Sequence, residues 1–313
     1  MLAFAVRRFF TALVSVWLAS LVVFSAIVAI PGDPAEIILG LNSSPEARAA
    51  LRTKLGLDVP APQRYVAWLG GVLRGDFGES LNYQQPVAKL IGGRLKVSVP
   101  LSFGAAILAT LLAIPVGAAA ASEAVVVDPL VVALSQLGAA IPGFWLGLLF
   151  ILYFAVELRL FPAGGFTPFA TDPAKWFRSL VLPMLALGLG QAAVMVRMTR
   201  AAMLEVLDQD FVRTARAKGL GQRSVVLKHA LRNAMVTIIT ILGLSLTNVF
   251  IGSIVIEQVF ALPGMGRLAI TAIGTRDFPL LQGEILVYAA TIVFLGFLVD
   301  LSYGLLDPRI RYS

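Results

Sequence analysis

Apolar runs long enough to cross a lipid bilayer recur along this 313-residue chain and constrain its fold more than any other feature. A helix needs about 20 apolar residues to span the hydrocarbon core. Residues 9–30, 97–122, 129–156, 179–196 and 233–256 meet that need. A sixth run is bracketed by Glu284 and Asp300, which leave 285–299 free of charge. It reaches full length if Asp300 sits near an interface or faces the bundle interior. Backbone polar groups inside lipid must be satisfied within the chain, so the expected fold is all-α: a polytopic bundle of six transmembrane helices. Pro115 and Pro142 fall inside runs two and three and are read as kinks, because neighbouring groups in a bundle can satisfy the freed carbonyls.

Composition agrees. Hydrophobic residues make up 58% and charged residues 14%, against about 45–50% and about 25% in soluble domains. The net charge of +7 is spread over flanks of apolar runs. That pattern anchors helices in a bilayer and gives no reason to expect nucleic-acid binding. The chain has no Cys and one His, His229. Disulfides, thiolate chemistry and a His or Cys metal cluster are therefore excluded. Arg7 and Arg8 precede the first run, as in a signal peptide. The run exceeds the 7–15 residues of a signal h-region and no A-x-A site follows, so an uncleaved first helix is expected.

Lys and Arg totals on the two sides nearly balance, so density decides orientation. Residues 197–232 pack Arg197, Arg200, Arg213, Arg216, Lys218, Arg223, Lys228 and Arg232 into one short stretch. The loop 31–96 is long enough to translocate largely regardless of charge. With six spans Arg7, Arg8, Arg309 and Arg311 fall on the basic side. Both termini are expected in the cytoplasm. The turn 123–128, with two acids and no base, cuts against this pattern.

The outer loops carry their own punctuation. Residues 61–73 can form a short amphipathic helix with Tyr65, Trp68, Leu69 and Leu73 on one face. It reads as an interfacial helix with Trp68 as an aromatic anchor, or as part of a docking surface for an extracytoplasmic partner. Pro263, Gly264, Met265 and Gly266 form a turn. Residues 267–273 follow as an apolar helix too short to span.

The segment 197–234 is basic, amphipathic and divided by glycine. Leu207, Phe211 and Ala215 fall at i, i+4 and i+8, on one helix face. Glu205, Asp208 and Asp210 come early and Arg213, Arg216 and Lys218 late, which complements the helix dipole. Gly219 and Gly221 break the helix. A second helix at 222–232, with Leu227, Ala230, Leu231 and Ala234 on one face, runs into span five. Such a pair can transmit a partner's rigid-body motion, or it can be a basic loop drawn to anionic lipid.

The run DFVRTARAKGLGQRSVVLKHALRNA resembles the cytoplasmic coupling loop of binding-protein-dependent ABC importer permeases of the dipeptide, oligopeptide and nickel group. LGLDVPAPQRYVAWLGGVLRGDFGES, FALPGMGRLAI, RDFPLLQGEILVYA and LLDPRIRYS look like the first permease subunit of that group, in the same order. The likeness covers essentially the whole chain. The general importer loop reads E-A-A-x-x-x-G. Here Arg213, Thr214, Ala215 and Gly219 stand at those positions, and only Ala215 and Gly219 agree. The acidic turn at 123–128 also departs from the basic turn expected there.

The resemblance implies a type I ABC importer permease architecture. Residues 1–96 would supply an N-terminal transmembrane helix and an extracytoplasmic loop, and 97–313 a five-helix core with a coupling segment at 203–232. The implied partners are a second homologous permease, two ATPase subunits, an extracytoplasmic solute-binding protein and the membrane lipid. The implied location is a bacterial cytoplasmic (inner) membrane. ATP and Mg would be bound by the ATPases. The chain itself lacks a G-x-x-x-x-G-K-[ST] phosphate loop, so no cofactor and no catalytic residue are expected in it. Leu207, Phe211, Arg213, Thr214, Ala215, Arg216, Lys218 and Gly219 are the expected ATPase-coupling residues.

For the substrate pathway only polar residues within spans are available. Gln136, Gln191, Ser245 and Asn248 are candidates, with Glu257 at the outer end of span five. Interhelical hydrogen bonding is the alternative use of each. Peptides are the default cargo of the group; nickel, sugars and peptide-like antibiotics are carried by close relatives. A secondary transporter is the contrasting class. It calls for internal repeats and an embedded ion-coupling carboxylate, and the sequence offers only Asp300 near a span end.

Overall fold

The computed structural model describes residues 2–29, 34–40, 43–54, 56–122 and 127–306. The acidic turn thus falls largely outside the described residues, as do Arg309 and Arg311. In chain order the helices are α1 (Leu2–Val28), α2 (Pro34–Leu39), α3 (Pro45–Lys54), α4 (Ala61–Val72), α5 (Val87–Ser122), α6 (Val127–Ala140) and α7 (Gly143–Phe150). They continue as α8 (Pro173–Leu207), α9 (Asp210–Ala217), α10 (Gln222–Ser224), α11 (Leu231–Val259), α12 (Met265–Gly274) and α13 (Phe278–Leu306). π-helical turns extend α7 over Ile151–Glu157 and link α10 to α11 over Val225–Ala230.

Among the described residues five helices are long and apolar enough to cross a membrane: Phe4–Val28, Val87–Ser122, Pro173–Leu207, Gln222–Val259 and Phe278–Ser302. The expected third span is not one kinked helix. Pro129–Ala140 and Gly143–Glu157 meet at 91°. Pro142 takes an extended backbone, φ −61 and ψ 131, and its carbonyl accepts from Trp145 N at 3.0 Å to start α7. A proline has no N–H to give and pushes the preceding residue out of the α region, so α6 stops and the chain turns. Pro100, Pro115 and Pro183 stay inside continuous helices.

The fourth span is longer than the apolar run. α8 begins at Pro173 because Asp172 accepts from Ala174 N and Lys175 N, both at 3.0 Å, and proline suits the first helical turn. The Lys175 N–H is the chief cause that holds the Asp172 carboxyl below its usual range. At 35 residues, α8 is about 52 Å long.

The chain divides into two compact units. Unit 1 comprises 1–8, 97–263 and 295–313, and unit 2 comprises 9–96 and 264–294. In unit 1, α8 is the central helix. Gly188 lets it approach α5, since a side chain there would start 2.8 Å from the Ala105 carbonyl oxygen. Small residues that admit close backbones are how helices associate without a hydrophobic drive from lipid. The outward face of α5 in this unit is apolar: Phe103, Ile107, Leu111, Leu112, Val116 and Ala119.

In unit 2, α4 forms as expected and packs on α1. Tyr65 meets Phe24 at 5.4 Å between ring centroids, and its hydroxyl lies 2.8 Å from Ser20 Oγ. Trp68 joins at 6.1 Å from Phe24. Leu73 falls just past the helix and is exposed. Asp277 precedes α13 and is fully buried. It accepts from Ser80 Oγ at 2.5 Å, Asn82 N at 3.0 Å and Leu280 N at 3.2 Å, which fixes the 79–86 turn to the start of the helix. α12 packs Met265, Leu268 and Ala272 against Val87, Ile91 and Leu280.

Candidate functional site

The glycine-divided segment belongs wholly to unit 1. The stripe of Leu207, Phe211 and Ala215 does not form, because α8 ends at Leu207 and α9 begins at Asp210. Gln209 is extended between them, φ −73 and ψ 150. Charge placement accounts for the break: Asp208 opposes the negative end of α8, and Asp210 suits the positive start of α9. Leu207 and Ala215 are buried, Phe211 is 38% exposed, and Val212, which the periodicity passed over, is the fully buried residue.

α9 is therefore two-sided. Val212 and Ala215 join one apolar cluster with Ala118 and Ala121 of α5, Met203 and Val206 of α8, and Ala234 and Ile238 of α11. Phe211, Arg213, Thr214, Arg216, Lys218 and Leu220 face outward. Thr214 Oγ1 donates to the Asp210 carbonyl at 2.9 Å. Arg213 pairs with Asp210 at 3.4 Å, both well exposed, so the pair holds little energy.

Gly219 takes φ 78, the left-handed state that its place after a helix calls for. Its N–H donates to the Arg216 carbonyl at 2.9 Å, and Leu220 N donates to Ala215 O at 3.3 Å. This is the pair of bonds that closes a Schellman helix end. The chain then turns into α10. The second helix runs without interruption into α11, as expected, but its buried face differs. The π-helical turn at Val225–Ala230 widens one turn and shifts the phase. Val225, Val226, Ala230 and Ala234 are buried, while Leu227 is 58% exposed.

The pathway candidates differ in exposure. Gln136 on α6 is exposed and Gln191 on α8 is half-buried. Ser245 is buried, its Oγ 3.1 Å from Met195 Sδ. Glu257 is fully buried and accepts from Ser98 Oγ at 2.5 Å. Asn248 is exposed on α11. It shares a continuous outward face with Asn233, Thr237, Thr240, Leu244, Ile251, Val255 and Gln258. The spacing of three and four residues keeps them in one stripe. Five of these eight are polar, against none on the outward face of α5. Thr240 and Asn233 donate to the carbonyls four residues back. The Asn248 amide has no partner among the described residues. Sequence reading found Asn248 but not the stripe; its signal was the helical spacing of Asn233, Thr237 and Thr240. Among the described residues no group of His, Cys, Asp and Glu could hold a metal.

Two family models together account for nearly the whole chain. "Binding-protein-dependent transport system inner membrane component" matches residues 113–312, and the corresponding N-terminal model, "Binding-prot-dependent transport system membrane comp, N-term", matches residues 1–102. A Brucella abortus (strain 2308) protein named as a peptide transport system permease is 41% identical over 318 residues, covering 100% of both chains. The dipeptide transport system permease protein of Escherichia coli (strain K12) is 38% identical over 338 residues, again covering 100% of both. With its apolar spanning helices and these matches, the chain belongs to the family of binding-protein-dependent transport system inner membrane components and is a multi-pass permease subunit of an ABC importer.

Proposed function

We propose that this permease forms half of an inward pathway for peptides or related small solutes, completed by a second homologous permease. An extracytoplasmic binding protein delivers the solute. Two ATPase subunits, which bind ATP and Mg, drive the cycle; the permease holds no cofactor of its own. Both termini and α9 face the cytoplasm. The peptide names of the Brucella and Escherichia relatives support the cargo class.

The two-sidedness of α9 carries this reading. Its inner face is locked into the apolar cluster that joins α5, α8 and α11. Its outer face offers Phe211 and Leu220 among Arg213, Arg216 and Lys218. Exposed apolar anchors ringed by basic groups suit a groove on a soluble partner. A push on that face reaches the bundle through Val212 and Ala215. The polar stripe on α11 supports a pathway there. An unpaired amide such as Asn248 is costly against lipid and is better placed on a water-filled path or a second permease.

Gly219→Pro tests the coupling. Proline holds φ near −65° and has no N–H, so it removes both the left-handed turn and the bond to Arg216. The ATPase subunits should no longer co-purify, and ATP-driven uptake of a labelled dipeptide into vesicles should be lost. Wild-type retention and uptake would show that the segment is only a basic loop facing lipid.

A further inference from the structure

Unit 2 holds an open cavity of about 800 Å³ that the transport function proposed above does not use. Its apolar wall includes Phe24 and Ile27 from the last turns of α1, and Phe278 at the start of α13. Arg64 and Trp68, one turn apart on α4, and Gln282 on α13 complete it. Each of these three carries a nitrogen donor that is shut off from solvent and has no hydrogen-bond partner: Arg64 Nε, Trp68 Nε1 and Gln282 Nε2. Gln282 as a whole is 9% exposed. Buried polar groups are normally bonded, so three unmet donors around one cavity need an explanation.

The charges in the wall narrow the ligand. Arg52 lies 3.5 Å from Asp58. Glu79 also lines the cavity and is engaged by other groups. The Arg64 side chain makes no hydrogen bond or ion pair with the described residues, so among them its charge is uncompensated. The planar guanidinium of Arg64, whose terminal nitrogens are not among the shut-off atoms, suits phosphate oxygens. Free phosphate would leave the aromatic and aliphatic wall unused. The outer turns of α1 bring that wall to the level of the bilayer surface, where amphipathic phosphodiesters are concentrated.

We infer that this cavity binds the headgroup of an anionic phospholipid, with Arg64 on the phosphate and the start of the acyl chains against Phe24 and Phe278. The assembled importer is reconstituted in nanodiscs of phosphatidylcholine with a minor fraction of phosphatidylglycerol. One lipid or the other carries a photoactivatable group near its head. After irradiation, adducts are mapped by mass spectrometry. Phosphatidylglycerol should label the α4 and outer α1 peptides several-fold more than phosphatidylcholine at equal mole fraction. Arg64→Gln should bring the two to the same level. Arg74→Gln, an exposed cation outside the cavity, should leave the preference intact. Equal labelling by the two lipids in the wild type overturns the proposal without any variant. An equal loss in Arg74→Gln also overturns it, since the preference would then be diffuse surface charge. Inorganic phosphate, with chloride at matched ionic strength as control, should not displace the lipid; displacement would make this a free-anion site and overturn the lipid assignment. The readout needs no transport, so it stands apart from the fate of the coupling proposal.

Discussion

Arg8 Nη1 lies 3.3 Å from Asp300 Oδ2, which ties the start of α1 to the late turns of α13. The pair is too exposed to hold more than about 1 kcal/mol, yet it constrains topology. Five crossings would leave these residues on opposite faces of the membrane. The contact therefore favours counting the bent α6–α7 pair as a sixth span.

Cysteines introduced singly into this Cys-free chain test the orientation. An impermeant thiol reagent applied to intact cells should label position 70 in α4 and spare position 216 in α9. It should also spare position 3, at the start of α1. Labelling at 3 and 216 with none at 70 would invert the assignment.

The close approach of α5 and α8 makes a second test. Gly188→Val places a Cβ 2.8 Å from the Ala105 carbonyl oxygen and 2.9 Å from Leu108 Cδ2. Backbone on one side cannot move aside cheaply, so the cost should be at least about 1–3 kcal/mol, as for other overpacked cores. Gly190→Ala, two residues along the same helix, meets nothing within 4 Å. It should be neutral or stabilising by up to about 1 kcal/mol, from helix propensity alone. Thermal unfolding of the detergent-solubilised complex separates the two.

The neighbours Phe211 and Val212 should part in opposite ways. Val212→Ala removes two methyl groups from a fully buried site and should cost about 2 kcal/mol. Phe211→Ala touches an exposed ring and should leave the melting temperature within a degree or two. It should nonetheless weaken retention of the ATPase subunits, which Val212→Ala affects only through stability. Pull-down of the ATPases alongside thermal unfolding checks both arms.

The spans were legible because lipid admits few solutions: a charge-free run of about 20 residues has to be a helix. Local geometry set by one backbone group was less so. Pro115 rides inside α5, whereas Pro142 ends α6. Gly143 follows Pro142, and a Pro-Gly pair is a turn signal that an expectation of a kink passes over. The glycine-divided helix pair is legible in its charges and glycines. Its buried face was misassigned because an ideal 3.6-residue period was carried through the break at Gln209 and the widened turn at Val225–Ala230. Gly219 was readable because a positive φ leaves a chemical mark in the residue itself. The pathway candidates were chosen by polarity alone. Polarity does not tell a hydroxyl turned into the bundle, as in Ser245, from an amide turned outward, as in Asn248.

That last distinction gives the final test. Ser245 and Asn248 are three residues apart on α11, so they sit close in depth and differ mainly in the face they occupy. Ser245→Leu forces a larger side chain into a site that is 1% exposed and in contact with Met195. It should destabilise the protein by about 1–3 kcal/mol, with uptake falling only as far as the amount of folded complex falls. Asn248→Leu exchanges an exposed, unpartnered amide for an apolar group of similar volume. Stability and subunit assembly should hold, while uptake per assembled complex drops several-fold. Uptake in vesicles, normalised to ATPase subunits retained, reads the difference. Unchanged normalised uptake in Asn248→Leu would mean that the polar stripe of α11 does not line the solute's path.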